Sequence, residues 1–593
     1  MDYEAPKPVN ADMNLSNIIP LHGVNNMGPS VVSAPTAIPT FLGMPEGYFA
    51  ELEGVYFHDQ REEGDEGPVW ICSPVAVAGL CRRSDGKGWG RVLDVIDADN
   101  RTHRILLDEA IFNGSHAALL RPLLDCGLRI AKGAAARKRL IDLLGMWRPA
   151  ETLVRVSSAG WIDKDFDTFV FADGTSVGRK KAILDRDTGI LGEMGVVKGS
   201  LENWQETVAA PCVGNPLMLL AVSQAFVGPL LEPLGLEGGG FHFRGASSRG
   251  KTTLLNLAAS VWGAPQYVQS WRTTDNAMEN IASSCSSALL ALDELHLVSA
   301  EYAGDIVYML ANGRGKQRMS AGGRGKLTDS WVVATLSSGE ITLEDHLASG
   351  GKKVHAGQEV RLIDIEADGR RFGSFDVLHG NSDPGDFVEN LHQLVSSHHG
   401  HPSRVFVKRL IANMDRRDNM KNVMQGFMDQ AIKAHDLGRD GQVRRVLKRF
   451  ALAAMAGEMA TTFGLTGWEK GEALRGILEV ASSWIVERDV AQAKPIAAAL
   501  VRTKTYLSEH SQCFAPSGSI GGLDGWKDDK WFFIRPETWS RIHGVNAALE
   551  AARLHKAANM LRTDKGETLQ LKMGRSVPGR PKVYAVSAGV LDA

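Results

Sequence analysis

Residues 245–252 constrain the fold of this chain more than any other segment. They read Gly-Ala-Ser-Ser-Arg-Gly-Lys-Thr and match the pattern G-x-x-x-x-G-K-[ST]. The glycines allow backbone N–H groups to turn inward around phosphate oxygens, and the following helix directs its positive dipole end at them. Phe-His-Phe at 241–243 precedes the loop as a predicted strand, and a helix-forming run at 253–259 follows it. The segment therefore predicts a phosphate-binding loop between a strand and a helix of an α/β domain.

The side chains of this loop suit ATP and Mg²⁺ as cofactors. The Lys251 ammonium would reach the β- and γ-phosphates, and the Thr252 hydroxyl would bind Mg²⁺. The residues predicted to surround the nucleotide are Gly245, Ala246, Ser247, Ser248, Arg249, Gly250, Lys251, Thr252 and Thr253.

Two acidic residues follow the next buried strand. Residues 288–292 are apolar, and Asp293 and Glu294 come directly after them. Asp293 would hold Mg²⁺ through water, and Glu294 could activate the water that attacks the γ-phosphate. A carboxylate pair at this place is typical of ATP hydrolases, although an acidic turn after a core strand is the plain alternative.

Two later strands, predicted at 331–336 and 360–365, supply further candidates. The first is followed by Ser337 and Ser338, and we expect Ser338 to contact the γ-phosphate or the attacking water. The second carries Arg361 at its start. An arginine supplied to a neighbouring subunit's nucleotide contributes about 10³–10⁵ in rate and makes hydrolysis depend on assembly. A surface arginine at a strand entrance is the alternative.

Residues 313–326 combine glycine with basic side chains and contain no acid. The pair Gly322-Gly323 suits the tip of a hairpin. In a ring, such an insertion could project towards the pore and hold DNA phosphates, or it could be a solvated basic loop. The candidate DNA-binding residues here are Arg314, Lys316, Arg318, Arg324 and Lys326.

The rest of the chain predicts further domains around this core. We expect a flexible tail at 1–44, a β-rich N-terminal domain at 45–200, the ATPase core at 201–380, a helical domain or lid at 381–515 and a winged-helix-like domain at 523–593. The last of these follows from a helix, a strand, a basic turn and a strand, with twelve Lys or Arg against seven acids from residue 525. Arg575, Arg580 and Lys582 would contact DNA phosphate, although many winged helices bind protein instead.

Composition narrows the class of protein further. A net charge of −3 from 66 basic and 69 acidic residues means that any nucleic-acid surface must be local. Six cysteines without a C-x-x-C pair, no long apolar run and no signal-like start predict a reduced, cytoplasmic protein without a membrane partner. Four histidines lack a cysteine or carboxylate at zinc-like spacing, so we assign them no metal. They are His392, His398, His399 and His401.

At these motifs the chain resembles a known family. Residues 241–253, 308–313, 336–340 and 356–361 are similar to the family called domain of unknown function 927, and the likeness runs from about residue 45 to 500. Such proteins occur in phages, plasmids and other mobile elements, and some resemble the replicative helicases of staphylococcal cassette chromosomes.

The order of motifs also resembles superfamily 3 and MCM-like members of the AAA+ ATPases. That resemblance implies a parallel sheet with the sensor strand, predicted at 331–336, in the middle. On one side of it lies the Walker A strand, which precedes the phosphate loop, and on the other the Walker B strand, which ends at Asp293. A further strand is implied at 266–271. The resemblance also implies ATPase roles for Lys251, Thr252, Asp293, Glu294, Ser338 and Arg361, and DNA contacts for 316–326. Superfamily 3 proteins usually place Asn at the sensor, where this chain has Ser.

The function implied is an ATP-dependent DNA helicase or translocase that forms a homo-oligomeric, hexameric ring. It would act on single-stranded or forked DNA in the replication of a mobile genetic element, with replication or primase proteins as further partners. The alternative is an AAA+ ATPase that acts as a nucleotide-controlled remodelling or origin-binding switch without unwinding. Arg445 or Arg449 would be a second arginine of the lid.

Overall fold

The computed structural model describes residues 43–58, 67–185, 192, 195–315, 330–352, 356–434, 441–517, 519, 522–545, 547–564, 568–575, 577 and 579–591. Contacts divide the chain into two compact units, of which the first ends at Ala481 and the second begins at Ser482.

The first unit begins with a β-rich region. This region contains three sheets. Their strand orders are β1-β2-β3, β11-β7-β4-β5-β6 and β10-β9-β8. Its elements are β1 (Tyr48–Glu51), β2 (Gly54–Phe57), β3 (Val69–Cys72), β4 (Val75–Arg82), β5 (Gly90–Ile96), β6 (Thr102–Asp108), α1 (His116–Asp125), α2 (Ala134–Met146), β7 (Thr152–Val156), β8 (Gly160–Trp161), β9 (Thr168–Val170), β10 (Ser176–Gly178) and β11 (Ala182–Leu184).

A buried arginine joins the largest of these sheets to α2. The Arg91 guanidinium on β5 donates to the carbonyls of Leu144 and Trp147 at the end of α2, at 2.9 and 2.8 Å. It also pairs with the carboxylate of Glu109 at 2.8 Å. Carbonyls at the end of a helix have no partner within the helix, so this arginine satisfies groups that burial would otherwise leave unbonded.

The fourth sheet of the first unit is entirely parallel. Its order is β13-β14-β15-β12-β16. The elements of this region are α3 (Leu201–Trp204), α4 (Pro216–Ala225), α5 (Gly228–Leu234), β12 (Gly239–Arg244), α6 (Lys251–Ala259), β13 (Gln269–Ser270), α7 (Asp275–Ser284), β14 (Leu289–Asp293), α8 (Ala300–Asn312), β15 (Ala334–Gly339), α9 (Leu343–Ser349), α10 (Ala356–Glu359) and β16 (Leu362–Glu366). The continuous apolar runs of its inner strands suit a sheet that is covered on both faces.

The strand order agrees with the sequence-based prediction, but three strands differ in extent. The strand predicted at 360–365 begins at Leu362, so Arg361 lies just before it. The strand predicted at 331–336 begins at Ala334 instead, so Ser337 and Ser338 lie inside it. Trp331 is buried outside the strand, and its indole N–H donates to the Leu310 carbonyl at 3.2 Å. The strand predicted at 266–271 is reduced to the two residues of β13.

Helices dominate the rest of the first unit. They are α11 (Pro384–Ser397), α12 (His401–Ala412), α13 (Arg417–Ala434), α14 (Gly441–Thr462) and α15 (Glu472–Glu509), the last of which continues into the second unit. The rings of Phe450 on α14 and Phe241 on β12 lie 4.9 Å apart and join this region to the parallel sheet. The buried Glu458 carboxylate accepts the N–H groups of Gly471 and Leu474 at 2.8 and 3.0 Å, which fixes the start of α15.

The second unit carries its own sheet, of order β17-β18-β19-β22-β20, with β21 paired to β22. Its elements after α15 are β17 (Phe514–Pro516), β18 (Gly525–Lys527), β19 (Trp531–Ile534), α16 (Pro536–His543), α17 (Ala548–Ala557), β20 (Leu561–Arg562), β21 (Leu571–Lys572) and β22 (Lys582–Ser587). Trp539 on α16 is fully buried and packs on Tyr584 of β22, with ring centroids 4.8 Å apart.

Within the described part of the chain, no single helix combines the length and apolar character needed to cross a membrane. The bent pair formed by α4 and α5 passes that test together, by length and composition alone.

Candidate nucleotide-binding site

The carboxyl edge of the parallel sheet brings together residues from three separate segments. The Thr252 hydroxyl, at the start of α6, donates to one oxygen of the Asp293 carboxylate at 3.0 Å. The Ser338 hydroxyl, in β15, donates to the other oxygen of the same carboxylate. Carboxyl ends of parallel strands share one edge of a sheet, which explains how residues 41 and 45 positions away from Asp293 reach it.

The loop between β12 and α6 has the backbone of a tight turn. Ser248 and Gly250 both adopt positive φ, at 59° and 95°. The Gly245 N–H donates to the Gly339 carbonyl at 3.2 Å, which ties the loop to the end of β15. Lys251 is 9% exposed, and its ammonium donates to the carbonyls of Gly245 and Ala246 at 2.8 and 2.6 Å. The Lys251 side chain therefore points back towards the start of the phosphate loop.

Glu294 occupies a strained position directly after β14. Its φ of 64° is uncommon for a residue with a side chain and costs about 1–3 kcal/mol. Its N–H donates to Asp293 Oδ1 at 3.1 Å and lies 3.4 Å from Ser338 Oγ. Glu294 itself is exposed. The backbone of Glu294 thus belongs to the cluster around Asp293, while its side chain faces solvent.

Ser337 belongs to a different, buried network on the opposite face of β15. The Trp271 indole N–H donates to Ser337 Oγ at 2.9 Å, and Ser337 Oγ lies 2.8 Å from His242 Nδ1. His242 Nε2 lies 3.1 Å from the Ile341 carbonyl, which can only accept, so Nε2 carries the proton and Nδ1 accepts from Ser337. Burial lowers the pKa of His242 to about 4, in agreement with a neutral ring.

The two serines thus have different partners, and sequence reasoning missed His242 and Trp271, which contact Ser337. The signal available was a single polar residue between Phe241 and Phe243, in the strand that precedes the phosphate loop. Such a residue needs a buried hydrogen-bond partner.

Arg361 and Arg449 lie at the other end of the sheet. The Gly240 N–H donates to the Arg361 carbonyl at 2.9 Å, and the five residue steps from Gly240 to Gly245 span about 16 Å at ~3.3 Å per residue. The Arg449 guanidinium donates to the carbonyls of Val360 and Gly238 at 2.6 and 2.8 Å. Burial lowers its pKa to about 10. Arg449 is thus excluded as a lid arginine for the phosphate loop of its own chain.

The Arg361 side chain is held by its neighbours at this amino edge. Its guanidinium donates to the Gly357 carbonyl at 2.7 Å and to Asn312 Oδ1 at 3.2 Å, and it lies over the Tyr308 ring at 4.7 Å. Glu237 is 3.7 Å away. The structure therefore does not bring Arg361 to Lys251, Asp293 or Ser338 of the same chain.

A segment that sequence reasoning did not single out covers the phosphate loop. After β16, the Ala367 N–H donates to the Arg244 carbonyl at 2.8 Å, and the Ser374 N–H donates to the Arg249 carbonyl at 2.9 Å. The Asp368 carboxylate accepts the Ala246 N–H at 2.7 Å. No motif marks these residues, because their role depends on contacts more than a hundred positions away in the chain.

A cavity of about 420 Å³ opens between α6 and α11. It begins at the threonines of the phosphate loop and continues along both helices. The residues that line it include Thr252, Thr253 and Asn256 on α6, and Val388, Glu389 and His392 on α11.

The candidate DNA-binding residues are described only in part. Lys316, Arg318, Arg324 and Lys326 lie outside the described residues. Arg314 is exposed and forms an isolated antiparallel bridge with Ser330. In the second unit Arg575, Arg580 and Lys582 are exposed, and Lys572 lies directly opposite Lys582 across β21 and β22.

Two of the four clustered histidines have backbone partners. His399 is buried, and its Nδ1 lies 2.8 Å from the Val395 carbonyl. His401 Nε2 lies 2.8 Å from the Gly199 carbonyl. Of the cluster, His392 alone borders the cavity between α6 and α11.

This protein is therefore an α/β protein with a parallel sheet and a phosphate-loop motif at the carboxyl edge of that sheet. Residues 48–329 match the model of the family described as domain of unknown function DUF927. No curated protein matches the chain in sequence.

Among solved structures, the chain is similar to SCCmec type IV Cch, described as an active helicase. The TM-score is 0.63 at 17% identity, over 93% of this chain and 100% of that one, and this likeness shows a shared fold. Two further structures have low scores that carry no weight for the fold. NtrX from Brucella abortus in complex with ATP has a TM-score of 0.18 at 12% identity, over 61% of this chain and 68% of that one. The apo C-terminal region of NrS-1 has 0.24 at 10% identity, over 65% and 87%.

Proposed function

We propose that this protein is an AAA+ ATP hydrolase that works as a ring-forming DNA helicase or translocase in the replication of a mobile genetic element. The observation that carries the proposal is the meeting of Thr252, Asp293 and Ser338 beside the phosphate loop. The fold shared with a helicase of a staphylococcal cassette element supports the same proposal.

The donor set around Asp293 fits Mg²⁺. A threonine hydroxyl and a carboxylate within 3.0 Å of each other are the oxygen ligands that this hard cation prefers. Mg²⁺ would neutralise phosphate charge there. Lys251 would leave its two carbonyls for the β- and γ-phosphates, Ser338 would orient Asp293, and the exposed Glu294 would accept a proton from the attacking water.

The cavity between α6 and α11 would receive the nucleoside. Its volume of about 420 Å³ lies within the ~300–1,000 Å³ range of small-molecule pockets. Because it begins at Thr252 and Thr253, a nucleotide whose phosphates lie in the loop would direct its ribose and base into it.

Arg361 would serve the nucleotide of a neighbouring subunit. It lies about 16 Å from the phosphate loop of its own chain, at the opposite edge of the sheet. A ring places one edge of each core against the other edge of the next, which would bring Arg361 to a second chain's γ-phosphate. Tyr308, 49% exposed, would form part of the same subunit contact.

DNA would be held by Arg314 and the basic residues that follow it, and by the basic turn of the second unit. Lys572 and Lys582 are directly opposite across two strands, an arrangement that destabilises a sheet unless an anion neutralises it. A phosphate backbone would supply that anion. Within this proposal the domain limits at 44, 200, 380 and 515 divide the chain into tail, β-rich domain, ATPase core, lid and DNA-binding domain.

The test of hydrolysis compares three variants of the full chain in an ATP turnover assay. Lys251→Ala should lose ATP binding, and Glu294→Gln should bind ATP while its kcat falls about 10²–10⁴-fold, the contribution of a general base. Glu301→Gln, an exposed acid on the next helix, is the matched control and should behave as wild type. Unchanged turnover by Glu294→Gln would refute the assignment.

Mixing two inactive chains tests the ring. Chains with Lys251→Ala keep Arg361, and chains with Arg361→Ala keep a working loop. In random mixed rings about one quarter of the interfaces would combine the intact loop with the intact arginine, so turnover should reappear on mixing. A mixture as inactive as its parts would mean that Arg361 does not act between subunits. Strand-displacement measurements on the active protein would then separate a helicase from a nucleotide-controlled switch.

A further inference from the structure

One peptide group of the phosphate loop is held from both sides. The peptide between Gly245 and Ala246 accepts at its carbonyl from the Lys251 ammonium, at 2.8 Å. At its N–H the same peptide donates to the Asp368 carboxylate, at 2.7 Å. A cation and an anion thus fix the plane of this peptide, although they do not contact each other directly.

The Asp368 carboxyl group lies directly over Gly245. A Cβ atom at Gly245 would lie 2.7 Å from the Asp368 Cγ and about as close to both carboxylate oxygens. Gly245 also has a φ of +157°, a backbone conformation that a side chain would strain. The first glycine of the loop is therefore needed for the approach of this carboxylate as well as for its own backbone.

The segment that carries Asp368 is fixed along its length. Besides its two backbone bonds to the phosphate loop, the Ser374 hydroxyl donates to the Ala367 carbonyl at 2.7 Å, and the Phe375 ring lies against Gly250. At its far end the buried Asn215 Oδ1 accepts the N–H groups of Asp376 and Val377, at 2.8 and 3.0 Å. Asp368 therefore has little freedom to leave the Ala246 N–H.

A carboxylate beside a polyphosphate site opposes binding by charge repulsion, so its presence requires a compensating role. When Lys251 moves to a phosphate, the Gly245–Ala246 peptide loses the bond at its carbonyl. The bond from Ala246 to Asp368 is then what keeps that peptide from rotating. A rotated peptide would turn its carbonyl oxygen towards the phosphates, which is unfavourable for an anion.

We propose that Asp368 is a positioning residue that holds the Gly245–Ala246 peptide in the orientation needed to bind the phosphates of a nucleoside triphosphate. This inference rests on the proposed function and names a residue that the phosphate-loop motif does not contain. Asp368 acts through the loop, and it does not contact the substrate.

The test measures KM and kcat for ATP in the full-length protein. Asp368→Ala should raise KM about 10- to 100-fold, the worth of one hydrogen bond to a charged group, while kcat changes by less than about threefold. Asp368→Asn keeps an oxygen that accepts the Ala246 N–H, so its KM should stay within about threefold of wild type. The matched control is Asp376→Ala, which removes bonds to Arg370 and to the Arg371 N–H in the same segment and leaves the phosphate loop untouched.

Several outcomes would overturn the inference. They are a wild-type KM in Asp368→Ala, an equal loss in Asp368→Asn and Asp368→Ala, and an equal rise of KM in the Asp376→Ala control. The proposed function fails separately: wild-type protein without ATP turnover, or full turnover in Lys251→Ala, would refute the hydrolase. If wild type is active and Lys251→Ala is inactive while Asp368→Ala is normal, only the role of Asp368 is wrong.

Discussion

Replacing Asp364 by Asn should change how the stability of the parallel sheet depends on pH. Asp364 lies on the edge strand β16, and its Oδ1 accepts the Leu343 N–H at 3.2 Å. Burial raises the pKa of its carboxyl group from 3.8 to about 7, although that hydrogen bond and the charge of Arg244 act in the opposite direction. The charges of Asp345 and Glu359 raise it further.

The direction of the pH dependence follows from which state, folded or unfolded, binds the Asp364 proton more tightly. Between pH 4 and 7 the folded state keeps a proton on Asp364 that the unfolded state has lost, so stability is greatest at low pH and falls as pH rises through this range. A shift of about three pKa units corresponds to about 4 kcal/mol. The Asn variant keeps an oxygen for the Leu343 N–H and does not titrate. Its stability relative to wild type should therefore rise by about 4 kcal/mol from pH 4 to pH 8.

Hydrogen exchange on peptides that cover β16 and β12 measures this difference, after correction for the pH dependence of the intrinsic exchange rates. Asp305→Asn, an exposed acid on α8, is the control and should show a difference that is small and independent of pH. A constant difference between Asp364→Asn and wild type from pH 4 to pH 8 would refute the reasoning. It would mean that Asp364 is solvated enough to ionise normally.

Three further results are expected from the same structure. Ser338→Ala should lower the kcat for ATP about tenfold or more, because Asp293 loses a hydrogen bond. Ser337→Ala should leave kcat near wild type and lower the Tm, because the Ser337 hydroxyl bonds within the buried network. Equal effects on kcat would contradict the separation of the two serines. Gly245→Ala should abolish ATP binding in calorimetry, since its methyl group would lie 2.7 Å from a carboxyl carbon, and normal affinity would show that the loop can move aside. Combined Lys572→Ala and Lys582→Ala should reduce the slope of log Kd against log salt for DNA by about 1.4–1.8, and an unchanged slope would exclude both lysines from phosphate contact.

The parts of the core that could be predicted from sequence are those with a strong local signal. The loop at 245–252 carries a motif, and the run that ends at Asp293 is apolar and short enough to be a strand. The ends of the strands could not be predicted in this way, because pairing with the neighbouring strand decides where a strand begins. β15 begins at Ala334, where it pairs with Gly239 of β12, although the apolar run begins three residues earlier. Local pattern records hydrophobicity and does not record which partner strand is present.

The residues that could not be predicted take their roles from contacts distant in sequence. Asp368 follows a strand in the way that many solvated acids do, and only the fold brings it to the Ala246 N–H. His242 reads as a polar interruption of a strand until β15 supplies Ser337. The sequence signals that His242 needs a partner, but it does not identify the partner of either residue, because both pairings depend on which strands lie next to β12.

The two ends of β12 carry different chemistry, and the proposed assembly into a ring rests on this difference. At the carboxyl end the chain places the phosphate loop, and at the amino end it places Arg361 among Asn312, Tyr308 and Glu237. In one chain these ends stay about 16 Å apart, since a paired strand within a five-stranded sheet cannot shorten. An active site that needs both ends therefore needs two chains. The rate of ATP turnover per chain would then depend on protein concentration, although every residue of the site is present in each copy.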